Sequence, residues 1–131
     1  LSYTFTHTAF QTDFTSSNPQ FGEVESGDEL PYVPSHQLSA QVGVDSTYWS
    51  FGANLIYIDG MREEAGTGST GPQTDDTLMV DAILKARPTE QIEFYIKGEN
   101  LTMARPVVAR HPFGARPGKP FSVLGGIKLT L

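Results

Sequence analysis

The sequence predicts an all-β fold, an antiparallel meander of about six strands, and three observations carry that prediction. Alternation of apolar and polar residues with period 2 recurs six times along the 131 residues. Thirteen Gly and nine Pro are scattered over the whole length, which leaves few stretches free of both breakers for a long helix. The links between the alternating runs are short and long by turns, as in an up-and-down sheet.

The first run, Leu1–Phe14, sets Leu1, Tyr3 and Phe5 against Ser2, Thr4 and Thr6; Phe10 and Phe14 break its parity, which signals a bulge or aromatics beyond the buried zone. The second, His36–Val44, alternates Leu38, Ala40, Val42 and Val44 with Gln37, Ser39, Gln41 and Gly43. The third, Tyr48–Ile58, places Trp49, Phe51, Ala53, Leu55 and Tyr57 on one face. The fourth, Thr77–Ala86, alternates Leu78, Val80, Ala82, Leu84 and Ala86 with Met79, Asp81, Ile83 and Lys85. Taken alone, Thr74–Ala86 also reads as an amphipathic helix capped by Thr74 or Asp75; its strict alternation and its strand neighbours favour strand. The fifth run, Gln91–Asn100, sets Ile92, Phe94 and Ile96 against Glu93, Tyr95, Lys97 and Glu99. The sixth, Lys119–Leu131, carries Phe121, Val123, Ile127, Leu129 and Leu131 on one face.

Tight links are expected at Asp45-Ser46-Thr47 and at Arg87–Glu90, and long ones at Thr15–Ser35, Asp59–Asp76 and Leu101–Gly118. Alternation does not by itself separate a soluble sandwich, whose apolar face is a core, from a membrane barrel, whose apolar face meets lipid. Two details favour the barrel. The apolar faces carry almost no charge, and Tyr3, Trp49, Tyr57 and Phe121 sit near strand ends, where interfacial aromatics belong. About ten residues per strand suffice to cross a thin apolar band when tilted.

Composition excludes several functions. Fifteen acids against nine Lys and Arg give a net charge of -6, which argues against a general nucleic-acid binder. Without Cys there are no disulfides, thiolate metal sites or cysteine nucleophiles. No apolar run approaches the roughly 18 residues of a membrane-spanning helix, and no charged-then-apolar leader opens the chain. It begins with Leu1 inside a patterned segment, so a fragment of a longer protein is expected. No enzyme is expected: His7, His36 and His111 lack metal-ligand spacing, and no G-x-S-x-G motif occurs. Gly66-Thr67-Gly68 with Gly71 lacks the strand-to-helix context of a phosphate loop and reads as a flexible link.

Three segments resemble a known family. Gly27-Asp28-Glu29-Leu30-Pro31-Tyr32-Val33-Pro34-Ser35-His36-Gln37 is similar to a loop-to-strand segment of TonB-dependent outer-membrane receptors. Glu99-Asn100-Leu101-Thr102 resembles a segment near their C-terminus, and His111–Pro120 resembles the final loop that runs into the closing strand. Together with Tyr57–Arg62 and Ala65-Gly66, the set is most similar to the ferric-citrate-type branch. The resemblance implies that residues 1–131 are the last six strands of a roughly 22-stranded barrel, with long extracellular loops and short periplasmic turns, in the outer membrane of a Gram-negative bacterium. The implied partners are the rest of the barrel, a plug domain, the energy-coupling protein TonB and outer-membrane lipid. The implied task is uptake of an iron chelate, ferric citrate or a siderophore, as transported ligand, with no cofactor. Leu131 departs from the aromatic with which the family usually ends. The alternative is a soluble antiparallel β binding module, or an adhesin or scaffold fragment without transport activity.

Specific contacts follow. Pairing of the fourth and fifth runs about Arg87–Glu90 predicts Asp81 facing Lys97, Lys85 facing Glu93, Leu84 meeting Phe94 and Ala82 meeting Ile96. Pairing of the second and third predicts Val42 opposite Phe51 and Ala40 opposite Ala53. Their polar face, Ser39, Gln41, Gly43, Ser50, Gly52 and Asn54, is small and neutral, with room for a plug. The last long link is basic, with Arg105, Arg110, His111, Arg116 and Lys119. Because guanidinium matches carboxylate, Arg105, Arg110 and Arg116 are candidates for binding an anionic chelate. Their competing role is to hold loops through ion pairs with Glu63, Glu64 or Asp76. The acidic loops carrying Glu23, Glu25, Asp28, Glu29 and Glu63, Glu64, Asp75, Asp76 lack calcium-loop spacing and read as solvated surface, so no metal site is expected.

Overall fold

The computed structural model describes residues 1–68, 71–111 and 113–130; the expectations that touch Ser69, Thr70, Pro112 and Leu131 lie outside the described residues. The strands are β1 (Ser2–Phe5), β2 (Phe14–Thr15), β3 (Glu23–Val24), β4 (His36–Asp45), β5 (Trp49–Ile58), β6 (Thr77–Thr89), β7 (Ile92–Glu99), β8 (Val107–Ala109), β9 (Arg116–Pro117) and β10 (Ser122–Leu129), and among the described residues there is no helix. Six of them form one antiparallel sheet in the order β1-β4-β5-β6-β7-β10. Two short ribbons, β2–β3 and β8–β9, lie within the first and third long links. The segment open to a helical reading is therefore strand β6.

The sheet follows the alternation, because period 2 puts successive side chains on opposite faces. Ladder partners such as Val42↔Ala53, Ala53↔Ala82 and Ala82↔Gly98 keep the apolar positions of all six strands on one side. In the first run only Ser2–Phe5 joins the sheet. Beyond Thr6 the chain leaves it, and Phe10, Phe14 and Phe21 pack edge-to-face or tilted against one another, with ring centroids 5.3–6.3 Å apart, around the β2–β3 ribbon. The parity break at Phe10 and Phe14 thus marks an exit from the sheet.

Both expected registers need correction by two residues. Val42 faces Ala53, Ala40 faces Leu55 and Val44 faces Phe51; Ile83 faces Lys97, Leu84 faces Ile96, Lys85 faces Tyr95 and Ala82 faces Gly98. The cause lies in the turns. The β4–β5 turn is centred on Thr47-Tyr48, with Ser46 N–H donating to the Trp49 carbonyl at 2.8 Å, and β6 runs on to Thr89, so that only Glu90 and Gln91 turn. Each centre sits one residue further along than expected, which slips the ladder by two and preserves the faces. Between Ala86 and Thr89 the β6–β7 register shifts by one, and the extra residue lies where Pro88 has no N–H to offer the ladder.

Among the described Ala, Val, Ile, Leu, Met, Phe, Tyr and Trp residues, only Val24 is buried, and it lies in the β2–β3 ribbon, outside the six-stranded sheet. The accessible surface is 8807 Å², against about 6,800 Å² for a compact monomer of this mass. The sheet is a single layer exposed on both sides.

Candidate functional site

The apolar face is the largest chemically uniform feature. It runs from Tyr3 and Phe5 on β1 to Val123, Ile127 and Leu129 on β10, and its strand positions contain no Asp, Glu, Lys or Arg. Phe51, Leu84, Phe94 and Val123 are 38–54% exposed on it. Its polar atoms collect at the ends. Toward the long links, the Tyr3 hydroxyl lies 2.8 Å from His36 Nδ1 and the Tyr57 hydroxyl donates to Asp59 at 3.2 Å. Toward the short turns stand Tyr48 and Trp49.

The opposite face carries the sheet's charges, most of them paired. Arg87 is its hub: Nε meets Glu93 at 3.0 Å, Nη1 meets Asp45 at 3.1 Å and the Ser46 carbonyl at 3.0 Å, and Nη2 donates to Ser50 Oγ at 3.1 Å. One planar guanidinium, with donors on three nitrogens, ties the short-turn ends of β4, β5, β6 and β7. The expected Lys85–Glu93 pair forms diagonally at 3.8 Å. Lys97 shares a face with Asp81 but reaches Glu99 at 2.6 Å, and Glu99 also holds Lys119 at 2.8 Å and accepts from Ser122 at 2.9 Å. The small neutral stretch is present, with Gly43 opposite Gly52 and Gln41 opposite Asn54. Nearer β10, the Tyr95 side chain lies across Gly126, where a Cβ would come within 2.7 Å of the phenol oxygen and two ring carbons.

At the long-link end the loops cross-link into a cap. Backbone bonds join the first link to the second, from Glu29 N–H to Gly66 and from Tyr32 N–H to Arg62, both at 2.8 Å. Asp75 and Val107 join the second to the third. All three links meet around Glu63, which is 1% exposed. Arg110 Nη1 lies 2.5 Å from its Oε1 and 2.6 Å from the Gln73 carbonyl, while the Tyr32 hydroxyl accepts from the backbone N–H of His111 at 3.2 Å and more distantly of Arg110.

The three arginines singled out in the sequence do not converge. Arg110 takes the loop-holding role through Glu63. Arg116 donates to the His111 carbonyl. Arg105 is exposed and has no hydrogen bond or ion pair among the described residues. A polar cavity of about 260 Å³ opens among the loop roots, lined by His7, Glu29, Ser35, Asp59, Arg62 and Asp76 among others, and none of the three arginines lines it. Among the described residues no cluster of His, Asp or Glu is arranged to hold a metal ion.

Sequence reasoning missed the Arg87 hub, having placed Arg87 in a turn, and gave Asn100 no role beyond its motif. Asn100 is fully buried at φ +50°. Its amide donates to the Ala104 and Lys119 carbonyls at 2.8 Å each; its Oδ1 accepts from Thr102 Oγ1 at 2.8 Å and Ala104 N–H at 3.1 Å; its own N–H donates to Asp81 at 2.8 Å. A buried Asn with every polar atom satisfied fixes where β7 ends and how the third link departs.

No family model, curated protein or solved structure matches the chain.

Proposed function

We propose that the chain is the C-terminal part of the β-barrel of a TonB-dependent outer-membrane receptor that takes up a ferric chelate. The observation that carries this reading is the uncharged face, six strands wide and exposed, backed by a face bearing paired charges. Exposed apolar patches of more than a few hundred Å² mark interaction surfaces, and this one is bounded at both ends by Tyr or Trp, as a bilayer interface requires. The motif resemblances to TonB-dependent receptors point the same way.

On this reading the paired-charge face lines a wet lumen and the loop cap is extracellular. The open edges of β1 and β10 pair with further strands, because six is fewer than the smallest common barrel, of about eight, and each unpaired backbone group in hydrocarbon costs several kcal/mol. A plug fills the lumen and couples to TonB; barrel and cap hold the chelate outside until the plug moves. A paired substitution tests this. Ala82→Arg puts a charge on the apolar face near mid-strand, and Ile83→Arg puts one on the other face. In the protein expressed from its complete coding sequence and folded into vesicles, Ala82→Arg should cost about 2–4 kcal/mol and Ile83→Arg much less. Equal costs would refute the assignment, and a water-soluble protein with the apolar face covered by a second layer would establish the binding-module alternative.

A further inference from the structure

We propose that a bay in the charge-bearing face, centred on the Gly43↔Gly52 pair, seats a backbone segment of the plug that brings a Lys or Arg to Asp81; the proposal rests on the barrel reading above. The bay holds about 440 Å³ and is lined by Gln41, Gly43, Gly52, Asn54, Asp81 and Ile83 among others. Glycine within a strand weakens it, and often marks a bulge or the close approach of another backbone. No bulge is present here, because the β4–β5 ladder runs unbroken from Gln37↔Ile58 to Asp45↔Ser50. Packing within the sheet does not call for the glycines either. A Cβ would meet nothing closer than 3.7 Å at Gly43 and 3.4 Å at Gly52, and neither residue has a positive φ. What the pair does is clear the face for a neighbouring segment.

Charge names what that segment carries. Asp81 stands opposite Asn54 in the β5–β6 ladder, and its Oδ1 accepts the Asn100 N–H at 2.8 Å. It has no ion pair among the described residues, since Lys97 turns instead to Glu99 at 2.6 Å. The other carboxylates of this face, Asp45, Glu93 and Glu99, each hold a cation. Beside Asp81, the Asn54 Oδ1 is shut off from solvent and has no hydrogen-bond donor among the described residues. A segment that covers the bay takes water away from Asp81, and a carboxylate buried without a counter-ion is strongly unfavourable. Lys and Arg meet both demands: the aliphatic stem lies along Ile83 and the glycine floor while the charged head reaches Asp81.

The test uses the protein expressed from its complete coding sequence and folded into vesicles, with the photo-crosslinking residue p-benzoylphenylalanine in place of Gln41. After irradiation, mass spectrometry should find Gln41's position joined to a peptide of the same chain that contains Lys or Arg. Asp81→Asn, which keeps an acceptor for the Asn100 N–H, should lower the yield about fivefold, the upper end for an ion pair in contact with water. Replacing the cation of that peptide by Glu should do the same, and combining it with Asp81→Lys should restore the yield. Lys128→Gln, on the same face but at the short-turn end, should change nothing. A spin label at Ala53 separates the two levels of the argument. Suppose the label reports lipid contact, but the crosslink goes to a second copy, to no polypeptide or to a peptide without Lys or Arg, or survives Asp81→Asn in full. Then the docking bay is wrong and the barrel stands. If the label reports no lipid contact, both fall.

Discussion

Replacing Asn100 by Ala tests how a single buried amide organises the top of the sheet. The substitution removes the partners of the Ala104 carbonyl, the Lys119 carbonyl and the Ala104 N–H, while Thr102 Oγ1 keeps its bond to Leu78. At roughly 1 kcal/mol of net stability per hydrogen bond, these three contribute about 3 kcal/mol. Asn100 also occupies the left-handed region at φ +50°, where Ala pays about 1–2 kcal/mol that Asn partly escapes. The expected loss is therefore about 4 kcal/mol for Asn100→Ala. Asn100→Gly, which relieves the backbone but not the hydrogen bonds, should cost about 1 kcal/mol less. Asn100→Asp keeps the acceptor for Ala104 and Thr102 but turns an oxygen toward two carbonyls, so it should resemble Ala more than Asn. Urea unfolding in lipid vesicles gives the three free energies, and hydrogen exchange at the Ala104 amide locates the damage. A loss below about 1 kcal/mol for Asn100→Ala, with Ala104 exchange unchanged, would refute the reasoning.

Two other sites give separate expectations. Arg87→Gln should raise hydrogen exchange at the turn amides Ser46–Ser50 and Glu90–Gln91 while leaving β10 unchanged, and Arg87→Lys should rescue little, since one ammonium cannot reach Asp45, Ser50 and Glu93 together. Exchange confined to the turns checks the hub; exchange unchanged there contradicts it. Arg110→Ala strands the buried Glu63 carboxylate, at a cost below the roughly 3–5 kcal/mol of a fully buried pair because Arg110 keeps 39% of its side chain exposed. Limited proteolysis should then cut within residues 59–76 and 100–121, and Glu63→Gln with Arg110→Ala should be more resistant than Arg110→Ala alone.

The faces were legible in the sequence because period 2 is local: the identities of Leu38, Phe51, Leu84 and Phe94 and their neighbours decide them without reference to any partner strand. Register was not, since a slip of two residues leaves every side chain on its own face. Only the turn chemistry at Thr47-Tyr48 and at Glu90-Gln91 sets it, and neither turn contains the Gly or Asn that marks a tight hairpin. The bulge has a visible cause in Pro88, whereas the Arg87 hub depends on that bulge and on three other strands. The cap was least legible. Glu63 stands in a run of charged and polar residues that reads as solvated surface, and its burial depends on Arg110 and the Gln73 carbonyl, 47 and 10 positions away. The loop-holding alternative for the arginines did name the Glu63 partner, because an isolated basic loop beside acidic ones has few other ways to satisfy its charge.

The central claim concerns the medium against the apolar face, and a spin-label scan of β5 tests it most directly. The chain contains no Cys, so single cysteines at positions 50–57 add the only labels within it. In lipid vesicles, labels at Phe51, Ala53 and Leu55 should collide with dissolved oxygen, and labels at Ser50, Gly52 and Asn54 with a water-soluble nickel chelate, in strict alternation. Odd-numbered positions shielded from both reagents, as in a dry protein core, would contradict the account.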